Sequence, residues 1–175
     1  MASLLFQKSQ NIGLRVLLLI PLAWLGCVTA AWAADLSPDH EWCVQRAAVQ
    51  YYRLGDPLSF QGFVDLIHAV FGVENSCGIS HVNDNGSIDV GCMQINSSNW
   101  RTLIRYGISP EALRFNDCQN IMVGTWLLHE NLAAGPDLWT AIGNYNSHTP
   151  KYNRIYQLKV WKKLQRLWAD RLARR

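Results

Sequence analysis

The chain is 175 residues long, enough for one domain plus a removable segment and little more. Hydrophobic residues make up 49% and charged residues 17%, a composition that excludes wholesale disorder. The net charge of +3 is too small to call for a nucleic-acid partner, and no repeat or low-complexity tract argues against a single domain.

Residues 1–33 contain no acid; the first is Asp35. Lys8 and Arg15 precede a ten-residue apolar run over 16–25. That run is too short to span a bilayer but matches a signal-peptide core, and Ala31-Trp32-Ala33 supplies the small-x-small pattern that signal peptidase cleaves after. The expectation is a signal peptide over 1–33 and a mature chain over 34–175, exported to the periplasm or cell envelope. A retained anchor is the alternative. Lipid attachment at Cys27 is a third reading, against which Trp24 stands where such motifs carry a branched aliphatic.

Helix signals dominate the rest. Ser37-Pro38 offers a cap and a first-turn proline for a helix through about Tyr52, and Gly55-Asp56-Pro57 breaks it. Ser59 caps a second helix, whose Phe60, Phe63, Val64, Ile67, Val70 and Phe71 fall three and four apart on one stripe. Glu74 is the next position on that stripe. The turn Asn83-Asp84-Asn85-Gly86-Ser87 then predicts a hairpin with short strands, since Asn-Gly favours positive φ angles. Ser97-Ser98 can cap a short helix over 100–105, and Ser109-Pro110-Glu111 starts another. Asp117 is the expected cap of the longest central helix, 118–132, stopped by Gly135-Pro136. One more helix runs from Leu138 towards Tyr145. A tail helix over 152–172 would turn Ile155, Leu158, Trp161, Leu164 and Trp168 to one side. The fold class is mainly α (α+β), with a small β-hairpin.

Charge divides the mature chain. Residues 34–150 hold 5 Lys and Arg against 12 Asp and Glu, whereas residues 151–175 hold 9 against 1. That basic tail is either the solvated face of a terminal helix or a surface for anionic partners. Four cysteines lie beyond the leader, Cys43, Cys77, Cys92 and Cys118; an even count in an exported chain implies two disulfides, with three connectivities open. No pair has Cys-x-x-Cys spacing and the histidines (His40, His68, His81, His129, His148) are scattered, so neither metal nor cofactor is expected.

Glu74, Asp84 and Asp89 are the acids that the second helix and the hairpin bring together. A carboxyl group ending an apolar stripe is partly desolvated, which raises its pKa and suits a general acid. No Lys or Arg lies between Arg53 and Arg101 to pair with it locally. Cleaving a glycosidic bond needs such an acid, and a group that stabilises the oxocarbenium-like centre. Asp84 reads as a turn residue; Asp89, outside the turn's centre, reads either way.

Three segments resemble the signatures of lytic transglycosylases: Val73-Glu74-Asn75-Ser76, then 85–97 with Gly91-Cys92-Met93-Gln94-Ile95-Asn96, then 141–146 ending Asn144-Tyr145-Asn146. The chain is most similar to the small exported members associated with conjugation, secretion and pilus machinery, over about residues 41–156. The resemblance implies a lysozyme-like fold. It implies that Glu74 alone serves as acid and base on the bond between N-acetylmuramic acid and N-acetylglucosamine, closing an anhydro ring without water. It also implies a sugar cleft built from Ser76, Met93, Gln94, Ile95, Asn96, Tyr145 and Asn146. In such relatives cysteines matching Cys43 and Cys118 pair, which leaves Cys77 with Cys92. The chain departs from the family pattern at Asn75, where serine usually follows the acid, at Cys92, where an aliphatic is usual, and at Ser147-His148.

The same stretch resembles animal-type lysozymes, in which the residue matching Asp89 is a second carboxylate. A hydrolase using Glu74 and Asp89 is therefore the nearest rival. A non-catalytic wall-binding module and a protein docking through its basic tail are the others. The expected partners are peptidoglycan glycan strands and a component of a secretion, conjugation or pilus apparatus, with the chain a monomer and no nucleic acid bound.

Overall fold

The structure, a computed structural model, describes residues 37–174; the expectations for the leader over 1–33, including Cys27, lie outside the described residues. Ser37 accepts a hydrogen bond from the His40 amide (3.3 Å) and starts α1, Pro38–Tyr51. Ser59 does the same for Gly62 (3.1 Å) at the head of α2, Phe60–Glu74. Of the stripe read from α2, Phe63, Val64, Ile67, Val70 and Phe71 are buried, with Leu66 and Ala69 added, while Phe60 in the first turn stays exposed; beyond that turn the helix is enclosed nearly all round between α1 and α7 (Pro150–Ala173). Each large apolar side chain buried there contributes roughly 2 kcal/mol by area.

The remaining helices are α3 (Trp100–Arg105), α4 (Pro110–Phe115), α5 (Asp117–Ala134) and α6 (Leu138–Asn144). Two expected caps move by a residue or two. Asn116, not Asp117, caps α5 by accepting from the Gln119 amide (2.9 Å), which frees Asp117 to bond His40 at 2.7 Å across to α1. Asn96, not Ser97-Ser98, caps the single 3-10 turn Ser97–Asn99 ahead of α3, while Ser97 accepts from the Ile88 amide (2.9 Å). In both cases an asparagine side chain one position upstream reaches the open amide.

The expected hairpin is present and gains a third strand. β1 (Ser80–Val82), β2 (Ile88–Val90) and β3 (Ile95–Asn96) form one antiparallel sheet in that order, with His81 opposite Asp89 and Asp89 opposite Asn96. In the turn only Gly86 takes positive φ, +79°. Disulfides join Cys43 to Cys118, fastening α1 to α5, and Cys77 to Cys92, fastening the segment after α2 to the turn after β2.

α7 corrects the tail reading. Its inward face carries Asn153, Tyr156, Val160 and Leu164; of the apolar residues expected on one side of the tail helix, only Leu164 is buried. Hydropathy misplaced the stripe because two of the inward positions are polar residues whose side chains find hydrogen bonds. Asn153 donates to the carbonyls of Thr140 and Ser147 (3.1 Å each) and to Asn144 Oδ1 (2.8 Å), locking the start of α7 onto α6.

The far end of α7 is clamped to α2 through buried Asp65. Its carboxylate accepts from both terminal nitrogens of Arg171, from Trp168 Nε1 (2.9 Å) and from Gln61 Nε2 (2.9 Å). Burial alone would raise this carboxyl group, but the Arg171, Gln61 and Trp168 hydrogen bonds outweigh it and hold the pKa below its ordinary 3.8. Asp65→Ala removes one partner of a largely desolvated ion pair, and a loss of about 2–4 kcal/mol in urea unfolding is expected. A depressed carboxyl pKa stabilises the fold above its unfolded value and loses that contribution as pH falls through the folded one. The gap between wild type and variant should therefore narrow below about pH 4, close to the 3.8 of the unfolded group.

Candidate active site

Glu74 closes α2, and Asn75 ends the helix by returning its amide to the Phe71 carbonyl (2.7 Å). The carboxyl group so placed lines an open cleft of about 880 Å³, with the sheet along one wall and the α6–α7 junction along the other. A cleft of that size accommodates more than one sugar ring. Burial is the largest influence on Glu74 and raises its pKa from 4.5 to about 7; the Tyr156 hydrogen bond and the Lys159 charge pull downward, and the Asp89 charge pushes up. The functional acid expected at the end of the stripe thus sits where solvent is scarce.

Tyr156, which sequence reading did not single out, donates its hydroxyl to Glu74 Oε1 at 2.6 Å from the inward face of α7. A signal for it existed. Asn153, Tyr156, Val160 and Leu164 follow helical spacing, and a tyrosine on a buried stripe needs a partner for its hydroxyl. The Tyr156 ring stacks on Tyr145 (centroids 6.2 Å apart, 23° between planes), and the Tyr145 hydroxyl donates to the Met93 carbonyl (2.8 Å). Both phenols are held well above their usual pKa, by burial first and then by the Glu74 charge, so they act as hydrogen-bond donors.

Asp89 faces the same cleft from β2. Asn83 Nδ2 bonds its Oδ2 (2.8 Å) and Asn96 Nδ2 bonds its Oδ1 (2.7 Å), so each carboxylate oxygen is already held by an amide. Asp84 lies at the hairpin tip and lines the rim.

The structure places Gln94, Ile95, Asn96, Tyr145 and Asn146 on the cleft wall, but not Met93 or Ser76. Met93 is fully buried, its side chain lying over Gly124 of α5, where an added Cβ would stand 2.5 Å from Met93 Cβ and 2.9 Å from the Tyr145 hydroxyl. Ser76 turns back to the Glu74 carbonyl (2.7 Å) and steadies the helix end. Cleft residues not anticipated include Asn83, Asn131, Asn144, His148 and Tyr152.

The turn that carries Gln94 is under backbone strain. Gly91 has φ +74° and Gln94, with a full side chain, φ +47°; the Gln94 amide group reaches the Gly91 carbonyl at 2.9 Å. Such conformations persist only when neighbours hold them. Buried Asn120 of α5 does so: its Oδ1 accepts from the Met93 amide (2.7 Å), and its Nδ2 donates to the Val90 (2.9 Å) and Leu113 (2.8 Å) carbonyls.

One mixed donor cluster exists among the described residues: His40, Asp117 and the sulfurs of Cys77 and Cys92 lie within 4.8 Å of one another. The sulfurs are bonded to each other and the imidazole is bonded to the carboxylate, so these groups satisfy one another as they stand.

The family profile described as Transglycosylase SLT domain matches residues 63–165. Invasion protein IagB of Salmonella typhimurium is 34% identical over 110 residues, covering 59% of this chain and 68% of IagB. X polypeptide of Escherichia coli is 35% identical over 101 residues, covering 55% and 58%. Protein IpgF of Shigella flexneri is 34% identical over 94 residues, covering 51% and 62%.

Proposed function

Since the chain belongs to the SLT transglycosylase family and is a lytic transglycosylase, we propose that Glu74 is its single acid/base, cleaving the bond between N-acetylmuramic acid and N-acetylglucosamine in peptidoglycan with formation of an anhydro-muramic end. The observation that carries this reading is a carboxyl group held near pH 7 by burial, with Tyr156 bonded to one of its oxygens. Oε2 is then the oxygen that carries the proton towards the substrate. It gives that proton to the bridging oxygen as the glycosidic bond breaks. The resulting carboxylate takes the proton from the C6 hydroxyl of the muramic ring as that oxygen bonds C1, and Glu74 ends as it began. No water is consumed.

Amide groups of Gln94 and Asn146 orient sugar hydroxyls and N-acetyl groups, with Ile95 as an apolar patch of wall, while Asn96 on the same wall spends its amide on Asp89, Ser87 and the Ser98 N–H. Asp89 stabilises positive charge at C1 from a distance. To attack C1 itself it would have to surrender the amide bonds from Asn83 and Asn96. The chain acts on the wall after export through its leader, as a monomer, opening glycan strands locally for assembly of an envelope-spanning secretion, conjugation or pilus machine. The similarity to a protein named for invasion supports that setting.

Digesting purified sacculi and resolving the soluble fragments by mass spectrometry tests the reaction. Anhydro-muramic ends are the expected product. Reducing ends would instead make the protein a hydrolase and bring Asp89 into the mechanism, and wall binding without fragments would leave a binding module.

Tyr156→Phe provides a separate check on the acid. The phenol stabilises the carboxylate form, so removing it leaves burial less opposed and lifts the Glu74 pKa above about 7. Activity that needs the protonated acid should hold at low pH and fall as pH passes about 7 in the wild type. In the variant that fall should move to higher pH, read from fragment release across a pH series; a purely structural tyrosine would lower activity without moving the limb.

A further inference from the structure

α7 carries large apolar side chains that its own domain leaves exposed. Asn153, Tyr156, Val160 and Leu164 suffice to pack it inward. Yet the outward side carries Ile155, Leu158 and Leu172, which are 46%, 60% and 68% exposed, flanked by Trp161 and Trp168 at 38% each. The two indoles are held edge to face at 5.8 Å, and Trp161 meets Trp139 of α6 in the same way at 5.6 Å. These contacts leave one edge of each ring facing solvent.

Between these side chains stand Lys151, Arg154, Lys162 and Arg166, all exposed, with Asp170 the only acid of the tail. Among the described residues, none of Arg154, Lys162 and Arg166 forms an ion pair. Residues 34–150 have 5 basic against 12 acidic side chains, whereas α7 carries seven basic residues, Lys151, Arg154, Lys159, Lys162, Lys163, Arg166 and Arg171, against Asp170, so positive charge is concentrated on this helix. Electrostatics alone would draw that helix to any polyanion. Exposed leucine, isoleucine and tryptophan interleaved with the basic groups ask in addition for an apolar phase directly beneath the negative charge, and an anionic lipid surface supplies both.

We infer that the outward face of α7 is a docking surface for an anionic phospholipid bilayer, on which the helix lies parallel to the membrane. Lys151, Arg154, Lys162 and Arg166 meet the headgroups, while Leu158, Leu172 and the exposed edges of Trp161 and Trp168 enter the interface, the Trp168 indole N–H staying on Asp65. Tyr152, in the first turn of the same helix, lines the cleft. Docking would therefore hold the glycan-binding site at the membrane surface.

The test is sedimentation of the full chain with vesicles of phosphatidylcholine alone or with 30 mol% phosphatidylglycerol (roughly the anionic share that gives a substantial surface potential). Two double variants accompany it, Lys162→Glu with Arg166→Glu, and Leu158→Asn with Leu172→Asn. None of these four residues touches the cleft or Glu74, so circular dichroism and sacculus digestion should match wild type and confirm folding. All proteins share the apolar run over 16–25, so differences between them report α7. The expected result is tighter wild-type binding to the anionic vesicles, weakened by salt. Charge reversal should weaken it by about 30-fold or more, and the asparagine pair by about 10-fold or more. No preference for phosphatidylglycerol would overturn the proposal, as would unchanged binding of the charge-reversed protein. Loss on charge reversal with no effect of the asparagine pair would also overturn it, making the occupant a soluble anionic polymer or an acidic protein face.

Discussion

Glu74→Gln should lower the rate of sacculus fragmentation by about a thousandfold or more, because one side chain supplies both proton transfers and general acid–base catalysis is worth about 10²–10⁴ for each. The amide keeps the size of the carboxyl group, so the cleft shape is retained and glycan binding should survive. Stability separates loss of chemistry from loss of fold. A carboxyl group whose pKa is raised by folding stabilises the native state fully below its unfolded pKa, and the contribution is lost as pH rises through the folded value. For Glu74 that window runs from 4.5 to about 7, and the contribution is roughly 3 kcal/mol. Above pH 7 the wild type carries a buried carboxylate that the glutamine variant lacks. The variant should therefore be at least as stable as wild type at pH 8 while inactive, measured by urea unfolding beside fragment release. Activity within tenfold of wild type would remove Glu74 from the mechanism.

Asn120→Leu is expected to cost roughly 3–6 kcal/mol. Leucine conserves most of the volume but leaves the Met93 amide and the Val90 and Leu113 carbonyls without their partner, at about 1–3 kcal/mol for each buried group. Against a total of about 5–15 kcal/mol for an ordinary domain, this is a large fraction. The midpoint of urea unfolding should fall with little change in slope. Activity per folded molecule should fall too, because the strained turn bearing Gln94 loses the side chain that pins it. A shift under about 1 kcal/mol would mean that the three backbone groups find other partners, and that Asn120 is not the support the geometry makes it.

Local rules carried much of the fold. Ser37, Ser59 and Ser109 cap the helices they precede because a short hydroxyl can satisfy an open amide whatever surrounds it. The stripe ending in Glu74 was readable because α2 is surrounded by protein and its pattern is uninterrupted. The errors have a common cause. Asn116 and Asn96 displaced the expected caps, and Asn153 and Tyr156 displaced the expected stripe of α7, because each polar group found a hydrogen bond that hydropathy does not count. The third strand escaped notice because two residues, Ile95 and Asn96, are too few to show alternation.

The sequence by itself determined that a carboxyl group would stand at the end of an apolar helix beside a polar hairpin, since helical period and turn chemistry are properties of neighbouring residues. Only the tertiary structure decided how that carboxyl group is tuned. Tyr156 lies 82 residues away from Glu74 along the chain, and Asn120 lies 27 from Met93. Both partnerships arise because α7 and α5 pack where they do, burying polar groups that must then be satisfied by whatever side chain the fold brings within reach.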